Sequence, residues 1–142
     1  AVISCIQSLH HFNDLDSALE EMLSILHPEG TLFIQDFDRE TCYRRFSLER
    51  KHSKNIFKIR EILRKPRDQH LKGLKRNGFL LDDMIFTYLS SLAAYTAEEV
   101  ETALTRRGFC SHYAKNQDMT FGLFAARSHV SPSRVVESFR QV

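Results

Sequence analysis

The strongest pattern in the chain is an apolar run, Leu32-Phe33-Ile34, set between Ile25-Leu26-His27-Pro28-Glu29-Gly30 and Gln35-Asp36. A run without polar interruption fits a strand buried on both faces, as in a parallel sheet covered by helices. Pro28 cannot continue a helix, and Gly30 permits the chain to reverse. Upstream, Val2 to Ile6 is a second strand-type run. Between the two, Asp16 to Leu26 places Ala18, Met22 and Ile25, with Leu19, Leu23 and Leu26, on one broad helical face. Asp14 or Asp16 is suited to cap that helix. Parallel strands need such a crossover, so residues 2–35 predict a strand–helix–strand unit.

Downstream, residues 40–78 keep a helical pattern but little apolar surface. Ile56, Phe57, Ile59, Ile62 and Leu63 form their stripe, Pro66 interrupts it, and Asn77-Gly78 closes it. Residues 79–92 are more apolar and predict another helix. Thr96 and Glu99 fit a capping box, followed by Val100, Ala103 and Leu104 on a buried face and by Gly108 as the stop. Arg106 and Arg107 suit the carboxyl end of that helix. Phe109–Lys115 and Met119–Ala126 read as an antiparallel hairpin turning at Asn116-Gln117-Asp118, and residues 131–142 as a loose tail. The expected organisation is one α/β domain over residues 1–128, with a helical insertion or lid at 40–92 and a tail at 129–142.

A chain of 142 residues with 42% hydrophobic content is one ordinary globular domain. No apolar run approaches the roughly 20 residues that span a bilayer, and the first residues do not resemble a signal peptide. Cys5, Cys42 and Cys110 are an odd, scattered set without metal-ligand spacing. Together these point to a cytoplasmic protein without membrane or zinc. The net charge of +2 hides an asymmetry: residues 39–76 hold 14 Lys/Arg against 4 Asp/Glu, leaving 6 against 14 elsewhere. Such a basic segment suits either a solvated helical surface or an anionic partner, nucleic acid included. The chain is also within a buried-type strand by Val2, where termini are usually polar and loose. The expectation is that it is a fragment or truncated form whose Val2 to Ile6 strand pairs with an N-terminal half or with a second copy.

In open α/β sheets ligands bind outside the carboxyl ends of the strands. Two stretches fall there. Gln7 to Asn13 follows the first strand and contains adjacent histidines, His10 and His11, which point in different directions in regular structure. Asp36-Phe37-Asp38-Arg39 follows the second, with carboxylates able to act as base or to position a substrate. Tyr43, Arg44, Arg45 and Phe46 mix aromatic and basic character beside it.

The segment Val-Ile-Ser-Cys-Ile-Gln-Ser-Leu-His-His-Phe, an acid-capped helix, and Leu-His-Pro-Glu-Gly-Thr-Leu-Phe-Ile-Gln-Asp resemble the second half of class I S-adenosylmethionine-dependent methyltransferases. Tyr-Thr-Ala-Glu-Glu-Val to Arg-Gly-Phe and the final hairpin are similar to the elements that close that fold. His27 and Glu29 depart mildly from the family's Lys and Gly in the turn. The resemblance implies a partial Rossmann-like methyltransferase fold holding strands four to seven of the sheet, with S-adenosyl-L-methionine as the cofactor of the complete domain. It places Gln7, Ser8 and His10 near the cofactor. It places Asp36, Phe37, Arg39 and Tyr43 near a small-molecule or anionic methyl acceptor, and makes His11 and Asp36 the catalytic candidates. The family needs no metal. Its glycine-rich cofactor loop has no counterpart among the five glycines, so the chain alone is expected to be inactive. The alternative is a non-catalytic domain that acts by pairing with another chain or by binding an anionic partner such as RNA.

Overall fold

The computed structural model describes residues 1–49, 69, 70, 72 and 90–128, side chains at 47–49 excepted. Four strands, β1 (Val2–Ile6), β2 (Thr31–Phe37), β3 (Phe109–Lys115) and β4 (Thr120–Arg127), form one sheet in the order β1-β2-β4-β3. β1 and β2 are parallel, with Val2 opposite Thr31 and Ile6 opposite Gln35. β4 runs antiparallel to both β2 and β3. The strand–helix–strand unit and the closing hairpin are therefore both present. The hairpin adds to the sheet through its second strand, which leaves β1 and β3 as the edges among the described residues.

Helix α1 (Leu15–Ser24) makes the crossover. Asp14 is its cap, its carboxylate accepting from the Asp16 and Ser17 N–H groups. The helix ends two residues before the predicted limit, and Ile25 is 77% exposed rather than part of the core face. Ile25 lies at the margin of the apolar stripe, and beyond Ser24 no helical turn holds it against the sheet. Ala18, Leu19, Leu23 and Leu26 are buried as expected.

Helix α2 (Arg39–Glu49) follows β2, residues 90–93 are helical, and α3 (Ala97–Thr105) precedes the hairpin. The capping box at α3 is complete, with Glu99 N–H donating to Thr96 Oγ1 at 3.1 Å and Thr96 N–H to Glu99 Oε2 at 2.8 Å. Thr96→Ala is expected to cost about 0.5–2 kcal/mol of stability, read from the urea unfolding midpoint, because two donors of the first turn depend on the box. At the other end Arg107 donates to Ala103 O at 2.9 Å and pairs with Asp16 Oδ1 at 2.7 Å, tying α3 to α1. Gly108 closes the helix at φ +75°, a conformation that a residue with a Cβ rarely adopts.

Both α1 and α3 pack on one face of the sheet. Leu32 and Ile34 of β2, Phe121, Leu123 and Ala125 of β4, and Val100, Ala103 and Leu104 of α3 join the α1 residues in one core. Alternate residues of β2 face the other way, where Phe33 meets Phe124 of β4 with ring centroids 4.4 Å apart. The apolar run predicts a β2 strand buried on both faces. Among the described residues Phe33, Gln35 and Phe37 are only half-buried.

Gly30 is needed for space rather than for an unusual φ. A Cβ there would lie 2.7 Å from Leu26 Cδ1, 2.9 Å from His27 O and 3.0 Å from Ala1 O. Gly30→Ala should therefore cost about 1–3 kcal/mol through forced shifts at the start of β2. An unchanged thermal midpoint would show that the turn relaxes freely.

The predicted helices within 50–89 and the tail from 129 onward lie outside the described residues. No helix among the described residues is long and apolar enough to cross a membrane.

Candidate functional site at the carboxyl edge of the parallel strands

β1 continues one hydrogen bond beyond its last residue, Gln7 N–H donating to Gln35 O at 2.7 Å. Gln7 then takes a left-handed φ of 48°. For a residue with a Cβ this conformation is sparsely populated and costs on the order of 1 kcal/mol or more. It turns the chain sharply across the end of the sheet into a 3-10 turn, Leu9–His11. Ser8 Oγ donates back to Ile6 O at 2.9 Å, and buried Leu9 anchors the turn in the core. Tyr95 Oη donates to Phe12 O at 3.0 Å and fixes the far end. Gln7 and Ser8 remain exposed on this platform.

The turn carries His10 inward. Its Nδ1 lies 2.7 Å from Asp36 Oδ1, and its backbone N–H donates to Asp36 Oδ2 at 2.9 Å. Phe37 N–H also donates to Asp36 Oδ1, at 2.7 Å. His10 and Asp36 are 3% and 1% exposed. The carboxylate thus closes the carboxyl ends of β1 and β2 against each other. Burial of a carboxylate is tolerated only with such a set of donors. His11, the neighbouring catalytic candidate, is exposed, and its ring packs on that of His10 with centroids 4.1 Å apart. Phe37, half-buried, also lies near His10, with ring centroids 5.6 Å apart. The structure therefore brings Gln7, Ser8, His10, His11, Asp36 and Phe37 to one edge.

Arg39 and Asp38 leave that edge for structural duties. Arg39 donates to Ala94 O at 3.0 Å and pairs with Glu99 at 2.6 Å, so its guanidinium holds the start of α3. Tyr43 lies on α2 and is 48% exposed. Asp38 is fully buried and caps two helices at once. One oxygen accepts from Thr41 N–H at 3.0 Å and Thr41 Oγ1 at 2.5 Å, the other from Ala97 N–H at 3.1 Å. Lys115 of β3 completes the group at 3.2 Å from Asp38, 2.9 Å from Glu98 and 3.3 Å from Glu40. Burial alone would raise the Asp38 pKa, but the donors from Thr41, Ala97 and Lys115 outweigh it and hold it below the usual value. Desolvation likewise works against the Lys115 charge, yet Glu98 and Asp38 hold its pKa above the usual value.

Lys115, Thr41 and Tyr95 are absent from the sequence-derived site, and nothing local in the sequence marks them. Arg44, part of the basic segment, pairs with Glu40 one turn away. The remainder of that segment from residue 50 onward lies almost wholly outside the described residues. Cys42 is buried beside Leu92 and Phe46, and desolvation pushes its thiol pKa up to about 12. An open cleft along α3, lined by Leu15, Tyr95, Glu98, Glu99, Thr102 and Arg106, includes none of the sequence-predicted site residues. Among the described residues no group of three or more His, Cys, Asp or Glu is placed to hold a metal ion.

Residues 1–110 match the model of a protein family described as Methyltransferase domain. Comparison with curated proteins gives no match. Among solved structures, the chain is similar to the plantazolicin methyltransferase BpumL in complex with SAH. That similarity has 14% identity and a TM-score of 0.48 over 89% of this chain and 51% of the other. The same enzyme in complex with a pentazolic desmethylPZN analog and SAH gives 15% identity and a TM-score of 0.46, again over 89% and 51%. The chain thus spans about half the length of these structures. With most of its length matched by the family model, the chain belongs to the methyltransferase domain family, the class I S-adenosylmethionine-dependent methyltransferases that its sequence resembles.

Proposed function

We propose that this chain is the substrate-side half of an S-adenosylmethionine-dependent methyltransferase domain. The observation that carries the reading is the edge formed by Gln7, Ser8, His10, His11, Asp36 and Phe37, within a stretch that matches the family. S-adenosylmethionine, when bound, supplies an electrophilic methyl group. The residues present fit the amino-acid end of that molecule: the Gln7 and Ser8 side chains are exposed on a turn whose backbone is fixed on both sides. They do not offer a glycine cradle for its nucleoside end. We assign that part to a glycine-rich half outside this chain.

Methyl transfer to a nucleophile depends mainly on alignment and exclusion of water. The rigid turn fixes where the acceptor can approach, and the half-buried Phe37 ring provides an apolar wall beside it. His11 is an exposed imidazole at the edge, beside the exposed Gln7 and Ser8. The acceptor belongs to the small molecules or anionic ligands that such an edge admits. β1, an edge strand among the described residues, is the surface through which this half joins its complement or a second copy.

Isothermal titration with S-adenosylmethionine tests the reading. The chain alone should show no binding, whereas the chain joined to a glycine-rich family half should bind. A joined, cooperatively folded domain that ignores S-adenosylmethionine would overturn the assignment. In the joined domain His11→Ala should lower turnover while changing stability by no more than about 0.5 kcal/mol, as exposed substitutions do. Unchanged turnover would remove His11 from the site.

A further inference from the structure

We propose that Asp36 is a positioning residue that holds His10 as the Nδ1–H tautomer, leaving Nε2 as the proton acceptor of the edge. The methyl acceptor would then be a protic nucleophile, an O–H or N–H compound. This rests on the methyltransferase reading and deepens it.

The geometry fixes the tautomer. Asp36 accepts from the His10 backbone N–H and faces Nδ1 at 2.7 Å. A carboxylate that already accepts from a neighbouring N–H can satisfy Nδ1 only if Nδ1 carries the hydrogen. The other ring nitrogen is then an acceptor. Nε2 has no hydrogen-bond partner among the described residues, in a residue that is 3% exposed, so it is an enclosed ring nitrogen that none of them engages.

An enclosed carboxylate–imidazole pair whose second ring nitrogen is engaged by none of the described residues is more than a loop brace requires, since the His10 backbone bond alone ties the turn to β2. The His11 and Phe37 rings, with centroids 4.1 Å and 5.6 Å from that of His10, limit its rotation. The step balances as follows. The acceptor oxygen or nitrogen forms its bond to the methyl carbon as the carbon–sulfur bond breaks and its electron pair returns to sulfur. The acceptor proton passes to Nε2, and Asp36 stabilises the resulting imidazolium until water removes the proton. A thioether or tertiary amine has no proton to give and would gain nothing from this arrangement.

Long-range 1H–15N spectra of the 15N-labelled full chain read the tautomer without any turnover. His10 should show the neutral Nδ1–H pattern, and Asp36→Asn, whose amide can present a donor, should shift it toward Nε2–H. A wild-type Nε2–H pattern, or no response to Asp36→Asn, overturns the positioning role. His10→Asn keeps a donor toward Asp36 while removing Nε2, so it separates chemistry from folding. In the joined domain, phenol and primary-amine probes serve as acceptors beside a thioether probe. His10→Asn and Asp36→Asn should each lower kcat for the protic probe about 100-fold while leaving KM within about threefold. Methylation of the thioether alone, or of no protic probe while S-adenosylmethionine still binds, overturns the acceptor class and leaves the family reading standing. Loss of S-adenosylmethionine binding itself would count against that reading instead.

Discussion

Asp38→Ala is expected to destabilise the chain by about 3–5 kcal/mol, the cost of breaking a buried, hydrogen-bonded charge pair from one side. Marginal domains have only about 5–15 kcal/mol in total, so the variant should unfold at a much lower urea concentration. Three consequences combine. The Thr41 and Ala97 N–H groups at the starts of two helices lose their acceptor. Lys115 loses its fully buried partner and, among the described residues, keeps the part-exposed Glu40 and the exposed Glu98. The carboxylate also leaves a hole where its oxygens were enclosed. Asp38→Asn should recover part of the loss, because an amide oxygen can still accept from one helix.

The pH dependence follows from the direction of each shift. Asp38 is held below its ordinary value, so its contribution is complete above about pH 4 and is lost as pH falls through the lowered folded-state value. Lys115 is held above its ordinary value, so its contribution is complete below about pH 10 and is lost as pH rises through the raised folded-state value. Asp38→Asn should flatten the acid limb of the stability curve and leave the neutral plateau lower. A loss under about 1 kcal/mol for Asp38→Ala, measured at pH 7, would show that the two helix starts are held by packing alone.

The parts of this fold that were legible in the sequence are those whose causes are local. Thr96 and Glu99 are three residues apart and form the box that their spacing predicts. The hairpin of β3 and β4, turning at Asn116-Gln117-Asp118, and the crossover between β1 and β2 likewise need no knowledge of distant residues. Met119 shows the limit of that reading: its positive φ of 69° delays β4 by one residue beyond the apolar pattern. Gly30 is conspicuous in the sequence, but the close approach of Leu26 that requires it is visible only in the fold.

The candidate site was legible as a place and not as a set of roles. Strand ends mark the ligand edge, so Gln7, His10, His11 and Asp36 could be nominated one by one. Their pairing could not be read, because His10 and Asp36 are 26 positions apart and nothing in either neighbourhood specifies the other. Arg39 shows the same difficulty. It looks like a substrate cation from its position after β2, but Glu99, 60 positions away, engages it. Asp36 and Asp38 look equivalent in sequence. In the fold one engages the histidine and the other the helix starts.

The second large effect concerns β1. Purified at micromolar concentration, the chain is expected to sediment as a dimer or larger species rather than as a monomer. β1 pairs with β2 on one side and has no strand partner on the other among the described residues. Val2 and Ile6 are 63% and 52% exposed, and they share their face of the sheet with Ser4 and the half-buried Phe33. Proteins usually guard such an edge with lysine, proline or a bulge, and the sequence Val-Ile-Ser-Cys-Ile contains none of the residues that do so. Covering an aliphatic side chain of this kind is worth about 1.5–3 kcal/mol. Val2 and Ile6 together therefore represent roughly 3–6 kcal/mol of association energy, or about a 100-fold or greater change in dissociation constant. Val2→Lys combined with Ile6→Lys should shift the sedimentation profile to monomer. Their side chains lie outside the α1–α3 core, so the unfolding midpoint should move far less than with Asp38→Ala. The control is Cys110→Lys on the opposite edge strand, which places an equivalent charge where the association argument requires no contact, and it should leave the dimer intact. A wild-type chain that remains a monodisperse monomer, or one in which the Cys110 variant dissociates as readily as the Val2/Ile6 variant, would remove β1 as the joining surface and transfer that role to β3.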